Sequence, residues 1–299
     1  SVIIDESHKC KSTKTKQSKY LQGICVGKEY VLELTGTPVV NNNEDLIQQL
    51  RIMDRLEDFG GYQKFKERYC AGDNKSSHVK ELNFYLNKFC FFRRQKKDVL
   101  KWLPEKTRTY LTTDIDNMKE YKTAERDVIK YLRDWKQADD DKIQKALRGA
   151  IMVKMGILKQ ISSKGKVKAA TEMIHSVIDG EDGQKLIVFC FLKQVVQELR
   201  SEFPGAVSVT GDDNAEQKQH AVDSFQNDPR TKLIILNYKS GGTGLTLTAS
   251  SNVLFIEFPW TYADCCQAED RAHRNGQKNA VTCTYMLGKG TIDEYMYNL

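Results

Sequence analysis

The chain has 299 residues, 40% hydrophobic and 29% charged, which is enough apolar material for two compact domains with real cores. Lys+Arg 46 against Asp+Glu 40 leaves a net charge of +6, which permits a polyanion partner without identifying one, because a solvated lysine-rich face gives the same balance. No apolar run approaches the roughly 20 residues of a membrane span, and no targeting peptide opens the chain. The reading is therefore a soluble, intracellular protein with no membrane partner.

The eight cysteines are scattered, and no C-x-x-C pair occurs, which argues against a zinc site. Several sit in apolar runs, as Cys190 does, which fits buried thiols in a reducing compartment.

In chain order, Ser1 to Ile4 is a short apolar strand running into Asp5-Glu6-Ser7-His8. A carboxylate at such a strand end can hold Mg²⁺ through water, and its neighbour can orient or deprotonate a water attacking a phosphoryl group. The same dipeptide also ends ordinary strands in a turn. A lysine- and serine-rich loop follows, then a second strand, Tyr30 to Leu34, ending in Thr35-Gly36-Thr37-Pro38. Two hydroxyls around a glycine can hydrogen-bond the acidic strand end, or form a plain turn. Helical segments around Glu44 to Leu50, Tyr62 to Tyr69 and Lys80 to Phe91 precede the basic run Arg93 to Lys97. Residues 1–108 thus read as the back part of an α/β domain, closed by the boundary Leu103-Pro104-Glu105-Lys106, since proline and its predecessor both resist helix.

Residues 109–165 read as a helical connector. From Asn117 to Ile161 the stretch is charged and proline-free, with Val128, Tyr131, Leu132 and Trp135 at helix spacing.

Residues 166–299 alternate helices with the strands Leu186 to Phe191, Ala206 to Thr210, Leu233 to Leu236, Val253 to Phe258 and Thr282 to Met286. Such alternation predicts a parallel sheet covered on both faces, with ligands at the carboxyl ends of its strands. Ser240-Gly241-Gly242-Thr243-Gly244-Leu245 lies at one such end. Its glycines allow close approach to a nucleotide or nucleic-acid phosphate, and equally a loop packed under the next strand. A helix from Tyr262 is predicted to reach His273. It puts Gln267, Arg271 and Arg274 on one face, with Glu269 and Asp270 available to pair with the arginines. His8 and His273 read as polar contacts, and Trp260 as a packing anchor. Both ends read as cut from a longer parent.

The order of these motifs resembles the Snf2 family of superfamily 2 helicase-like ATPases, over nearly the whole chain. Gln267-Ala268-Glu269-Asp270-Arg271-Ala272-His273-Arg274 with Gly276-Gln277 is highly specific for it, and Phe91 to Leu100 with Leu103 to Lys106 resemble its brace between lobes. The resemblance implies an α/β fold of two RecA-like lobes with parallel sheets, the first truncated at its N-terminus, joined by a helical connector. It implies ATP and Mg²⁺ as cofactors, with Glu6, Asp5, Arg271 and Arg274 catalytic and Asp5 holding the metal through water. His8, Thr35, Gly36, Thr37, Gly244 and Gln267 would couple to the nucleotide, and Phe189 (motif IV), Ser240, Gly241, Gly242 and Thr243 (motif V) would contact DNA. The implied function is double-stranded-DNA translocation and remodelling by a monomer, with DNA-bound proteins as further partners. The compartment is then nuclear in a eukaryote, or cytoplasmic and nucleoid-associated in bacteria or phage. The short connector favours a bacterial, phage or fork-remodelling relative over a nucleosome motor. No Walker A loop is present, so the fragment alone is expected to be inactive. The rival readings are a non-catalytic nucleic-acid-binding or scaffold module, and a strand-separating helicase.

Overall fold

A computed structural model describes residues 1–135, 140–180, 183–238 and 244–297, with side chains described outside 127–151 and 153. The chain divides into two compact units, Ser1–Val99 and Leu100–Leu299.

In the first unit β1 (Val2–Asp5) and β2 (Val31–Leu34) pair in parallel, Ile4 opposite Glu33 and Asp5 opposite Leu34. A parallel pair needs a crossover, and α1 (Lys16–Cys25) supplies it. Its N-cap is Thr15, whose hydroxyl accepts from Ser18 N at 3.3 Å. Ile4, Cys10, Cys25 and Ile52 form the core beneath this pair of strands. The opposite face carries Ile3, Leu32 and Leu34, all exposed. The remainder of the unit is helical: α2 (Asp45–Ile52), α3 (Gly61–Tyr69), α4 (Val79–Phe89) and the single turn α5 (Lys96–Val99). Leu46, Leu50, Leu56, Phe59, Phe65 and Leu82 fill its centre, and Phe59 meets Phe65 edge-on at 5.8 Å.

The second unit is built on a six-stranded sheet of order β3-β8-β7-β4-β6-β5, parallel at every pairing. Its strands are β3 (Lys106–Thr113), β4 (Leu186–Cys190), β5 (Val207–Val209), β6 (Leu233–Asn237), β7 (Asn252–Phe255) and β8 (Val281–Gly288). Every residue of β4 and β6 is buried, as expected when helices cover both faces. Alternation divides them cleanly. Ile187, Phe189, Ile234 and Leu236 join the core on one face, and Leu186, Val188, Cys190, Leu233 and Ile235 the core on the other.

The helices are α6 (Met118–Trp135), α7 (Asp140–Gly165), α8 (Val167–Ile178), α9 (Lys193–Glu202), α10 (Ala215–Asn227), α11 (Tyr262–Glu269) and α12 (Ile292–Tyr297). The stretch read as a connector therefore forms two helices within the second unit; Val128, Tyr131, Leu132 and Trp135 lie outside the residues whose side chains are described. Strand β3 spans residue 108, the expected domain edge, and pairs with β8 over eight residues from Lys106↔Val281 to Thr113↔Gly288.

Polar groups fasten α7 to the sheet. Lys166, wholly buried, donates to Asp293 Oδ2 at 2.6 Å and to the Met286 carbonyl at 3.0 Å. The same carboxylate oxygen accepts from Ser162 Oγ at 2.8 Å and Gly288 N at 3.0 Å. Tyr121 Oη accepts from Ile292 N at 2.6 Å, so α6 and the start of α12 are joined as well.

Candidate active site

The first unit holds Asp5 and Glu6. Asp5 ends β1, and its Oδ1 accepts from Glu6 N at 2.9 Å. Glu6 has φ 53° and ψ 45°, the left-handed region, which costs a non-glycine residue about 1 kcal/mol or more. The turn throws its side chain toward His8, whose Nδ1 lies 3.2 Å from Glu6 Oε2 and 3.0 Å from Thr35 Oγ1. With its proton on Nδ1, the imidazole donates toward both. Thr35 Oγ1 also accepts from Thr37 N at 3.1 Å across Gly36. The acidic strand end and the Thr-Gly-Thr turn are thus joined through a histidine rather than directly.

Gln49 is a residue that sequence reasoning missed. Its side chain accepts from Ser7 Oγ at 3.2 Å and donates to the Pro38 carbonyl at 2.8 Å, holding the far sides of the same two turns together. A mid-helix glutamine carries no pattern that would have singled it out.

Glu33, facing Ile4 across the sheet, is half-buried, and burial pushes its carboxyl up to about 8 from the ordinary 4.5, with Ser7 acting in the opposite direction. Between those values the folded chain keeps a proton that the unfolded chain has lost, so this group lowers stability as pH rises. Glu33→Gln should therefore melt progressively higher than the wild type as pH goes from about 5 to about 8. A difference in melting temperature that is flat with pH would show that Glu33 ionises normally.

The second unit holds the arginines. α11 stops at Glu269, and Arg271 and Arg274 lie in the turns beyond it rather than on one helical face. The carbonyls that would extend the helix are taken elsewhere: Arg271 O accepts from Leu247 N at 2.9 Å, and Ala272 O from the Gln277 side chain at 3.2 Å. Gln277 also donates to Ser250 O at 2.9 Å, and Gly276 makes the bend at φ +99°. Arg274 Nη1 reaches the Leu245 carbonyl at 3.1 Å. The arginine turn and the segment following Gly244 are consequently one piece. Ser240, Gly241, Gly242 and Thr243 lie outside the described residues.

Glu269, expected beside the arginines, binds other cations. Fully buried, it accepts from Lys106 Nζ at 2.7 Å, Arg108 Nε at 2.6 Å and Tyr285 Oη at 2.8 Å. His273 Nε2 donates to the Pro104 carbonyl at 2.8 Å. Phe189, expected at a DNA contact, is 1% exposed and stacks on Phe255 at 5.1 Å, and it lines the same cleft as Gln267.

Gln267 lines a cleft with Phe191, Tyr238, Pro259, Trp260 and Asp264, beyond the carboxyl ends of β4, β6 and β7. Trp260 covers the Lys159 ammonium at 4.4 Å from its ring centroid, a packing role. Burial brings Lys159 down to about 8, with Glu257 opposing.

The SNF2-related domain model matches residues 1–169, and the helicase conserved C-terminal domain model matches residues 165–276. The chain belongs to the SNF2-related family. It is 30% identical over 99% of its length to the DNA annealing helicase and endonuclease ZRANB3 of Mus musculus, covering 28% of that protein. It is also 30% identical to a Caenorhabditis elegans homolog of the SWI/SNF-related matrix-associated actin-dependent regulator of chromatin subfamily A-like protein 1, covering 44% of it. This SNF2-family chain thus spans less than half of either relative. Its fold matches the Sulfolobus solfataricus SWI2/SNF2 ATPase core in complex with dsDNA, at TM-score 0.53 and 24% identity, over 99% of this chain and 65% of that one. It also matches the C-terminal part of the Fun30 ATPase domain, at TM-score 0.55 and 19% identity, over 66% and 89% of the two chains. The mixed α/β fold with parallel sheets in both units is that of SNF2 ATPase cores.

Proposed function

We propose that this chain is part of an ATP-dependent double-stranded-DNA translocase, which couples hydrolysis to movement on a duplex. The observation that carries the reading is the Glu6–His8–Thr35 relay. An acidic pair at a strand end has bland explanations, but a strained Glu6 sharing a histidine with the next strand-end turn ties a candidate base to a candidate sensor.

In this reading Glu6 orients and deprotonates the attacking water, and Asp5 holds Mg²⁺ through water. An exposed strand-end carboxylate suits that ion, which keeps most of its waters and takes one or two carboxylates plus substrate phosphates. Mg²⁺ would supply charge neutralisation on the phosphates. Arg271 and Arg274 stabilise charge on the transferring phosphoryl group. His8, Thr35, Gly36, Thr37, Gly244 and Gln267 report the nucleotide state, and residues 240–243 grip the DNA phosphate backbone.

The Caenorhabditis elegans relative, named for a regulator of chromatin, favours a nuclear setting, and the same reading has the protein act as a monomer on DNA and on DNA-bound proteins. The Mus musculus relative, a DNA annealing helicase, favours strand annealing as one activity of the protein that carries this chain.

The test uses the protein that carries this chain. Duplex DNA should stimulate its ATP hydrolysis, and it should displace a triplex strand and support annealing without processive unwinding. Unwinding without triplex displacement would make it a strand-separating helicase, and loss of all ATP turnover would make it a scaffold. The 299-residue chain contains no G-K-[ST] sequence to cradle the β/γ-phosphates, so on its own it should turn over ATP negligibly.

A further inference from the structure

Glu269 occupies an unfavourable place. It is the last residue of α11, where the helix dipole disfavours an anion, and it is fully buried. Two cations compensate. Lys106 Nζ and Arg108 Nη2 donate to Oε2 at 2.7 and 2.9 Å, while Arg108 Nε and Tyr285 Oη donate to Oε1 at 2.6 and 2.8 Å. Burial by itself would raise the carboxyl, and the bonds from Arg108 and Lys106 outweigh it, so the net direction is down.

The backbone of Glu269 is the post on which the arginine turn winds. Its carbonyl accepts from Ala272 N at 3.1 Å and from His273 N at 2.9 Å. The His273 ring then reaches Pro104 O, two residues before Lys106. Side chain and backbone of one residue therefore connect the strand by which the chain enters the second unit to the turn that carries both arginines.

β3 already holds an eight-residue parallel ladder with β8. Two cations, a phenol and a histidine–carbonyl bond are added to that ladder at the arginine turn.

We propose that Glu269 is a positioning residue that locks the entering strand to the arginine turn, so that a displacement of that strand is passed directly to Arg271 and Arg274. The proposal rests on the reading that these arginines stabilise the transferring phosphoryl group.

The experiment is steady-state ATP hydrolysis, stimulated by duplex DNA, in the protein that carries this chain. Glu269→Gln keeps the shape and loses the charge; Arg108→Lys keeps the charge and loses the two-pronged geometry. Each should lower kcat about 100-fold, the scale of an ångström-level misplacement, while the KM for ATP and the affinity for duplex change less than about twofold. The double variant should be no slower than either single one, because both release the same lock. Arg271→Ala is the control for the underlying reading. If Glu269→Gln and Arg108→Lys lower the melting temperature but leave kcat per folded molecule unchanged while Arg271→Ala abolishes turnover, Glu269 is only structural and the proposal falls. Additive losses in the double variant would overturn it too. If Arg271→Ala leaves kcat unchanged, the reading of the arginines fails and takes the proposal with it.

Discussion

Glu6→Gln in the protein that carries this chain should slow ATP hydrolysis about 10²- to 10⁴-fold, the range for loss of a general base, with ATP and DNA still bound. The substitution is close to isosteric. An amide oxygen at Oε1 or Oε2 still accepts from His8, so the bond now at 3.2 Å and the neighbouring one to Thr35 at 3.0 Å persist. The left-handed backbone of Glu6 is a property of the turn, held by Glu6 N on Asp5 Oδ1 at 2.9 Å, and does not depend on the side-chain charge. What is lost is the capacity to take a proton from water. Single-turnover hydrolysis beside equilibrium binding of ATP and a labelled duplex separates the two effects. Near-normal turnover in this variant would remove Glu6 from the chemistry. Equal loss of binding and turnover would make it a structural residue of the turn.

Lys166→Met should destabilise the second unit by about 3–5 kcal/mol, the scale for stripping one partner from a buried ion pair. Both groups are out of water, at 0% and 1% side-chain exposure, and among the described residues the donors left to Asp293 Oδ2 are the neutral Ser162 Oγ and Gly288 N. Replacing both members, Lys166→Met with Asp293→Leu, should restore part of the loss, because no charge is then stranded in the core. Denaturant unfolding of the chain and its two variants measures the difference directly. A loss below about 1 kcal/mol would show that water reaches the pair and that it behaves as a surface bridge. The consequence extends beyond stability, since this pair joins the α7–α8 junction to α12 and to the end of β8.

Much of the architecture was legible before any coordinates. The apolar runs Leu186 to Phe191 and Leu233 to Leu236 announced strands covered on both faces, and the strands found there, Leu186–Cys190 and Leu233–Asn237, are fully buried. The acidic pair after Val2–Ile4 was read at a strand end, where it stands. Strand β3 was not legible. Its sequence, Lys-Thr-Arg-Thr-Tyr-Leu-Thr-Thr, lacks an apolar face, and what makes it a strand is β8, far downstream. The arginine helix was misjudged at its end for a similar reason. The residues continue a helical pattern, but Leu247 N and the Gln277 side chain claim the carbonyls that would have propagated it.

The sequence by itself determined the order of the motifs, the alternation of strand and helix, and which side chains stand at strand ends, because periodicity and local backbone preference act over a few residues. Only the tertiary structure decided that Glu269 meets Lys106 and Arg108 rather than its neighbouring arginines, that His8 joins Glu6 to Thr35, and that α11 halts before Arg271. Those outcomes turn on which desolvated groups find partners from distant parts of the chain. The cost of burying a charge alone outweighs any preference carried by its neighbours in sequence.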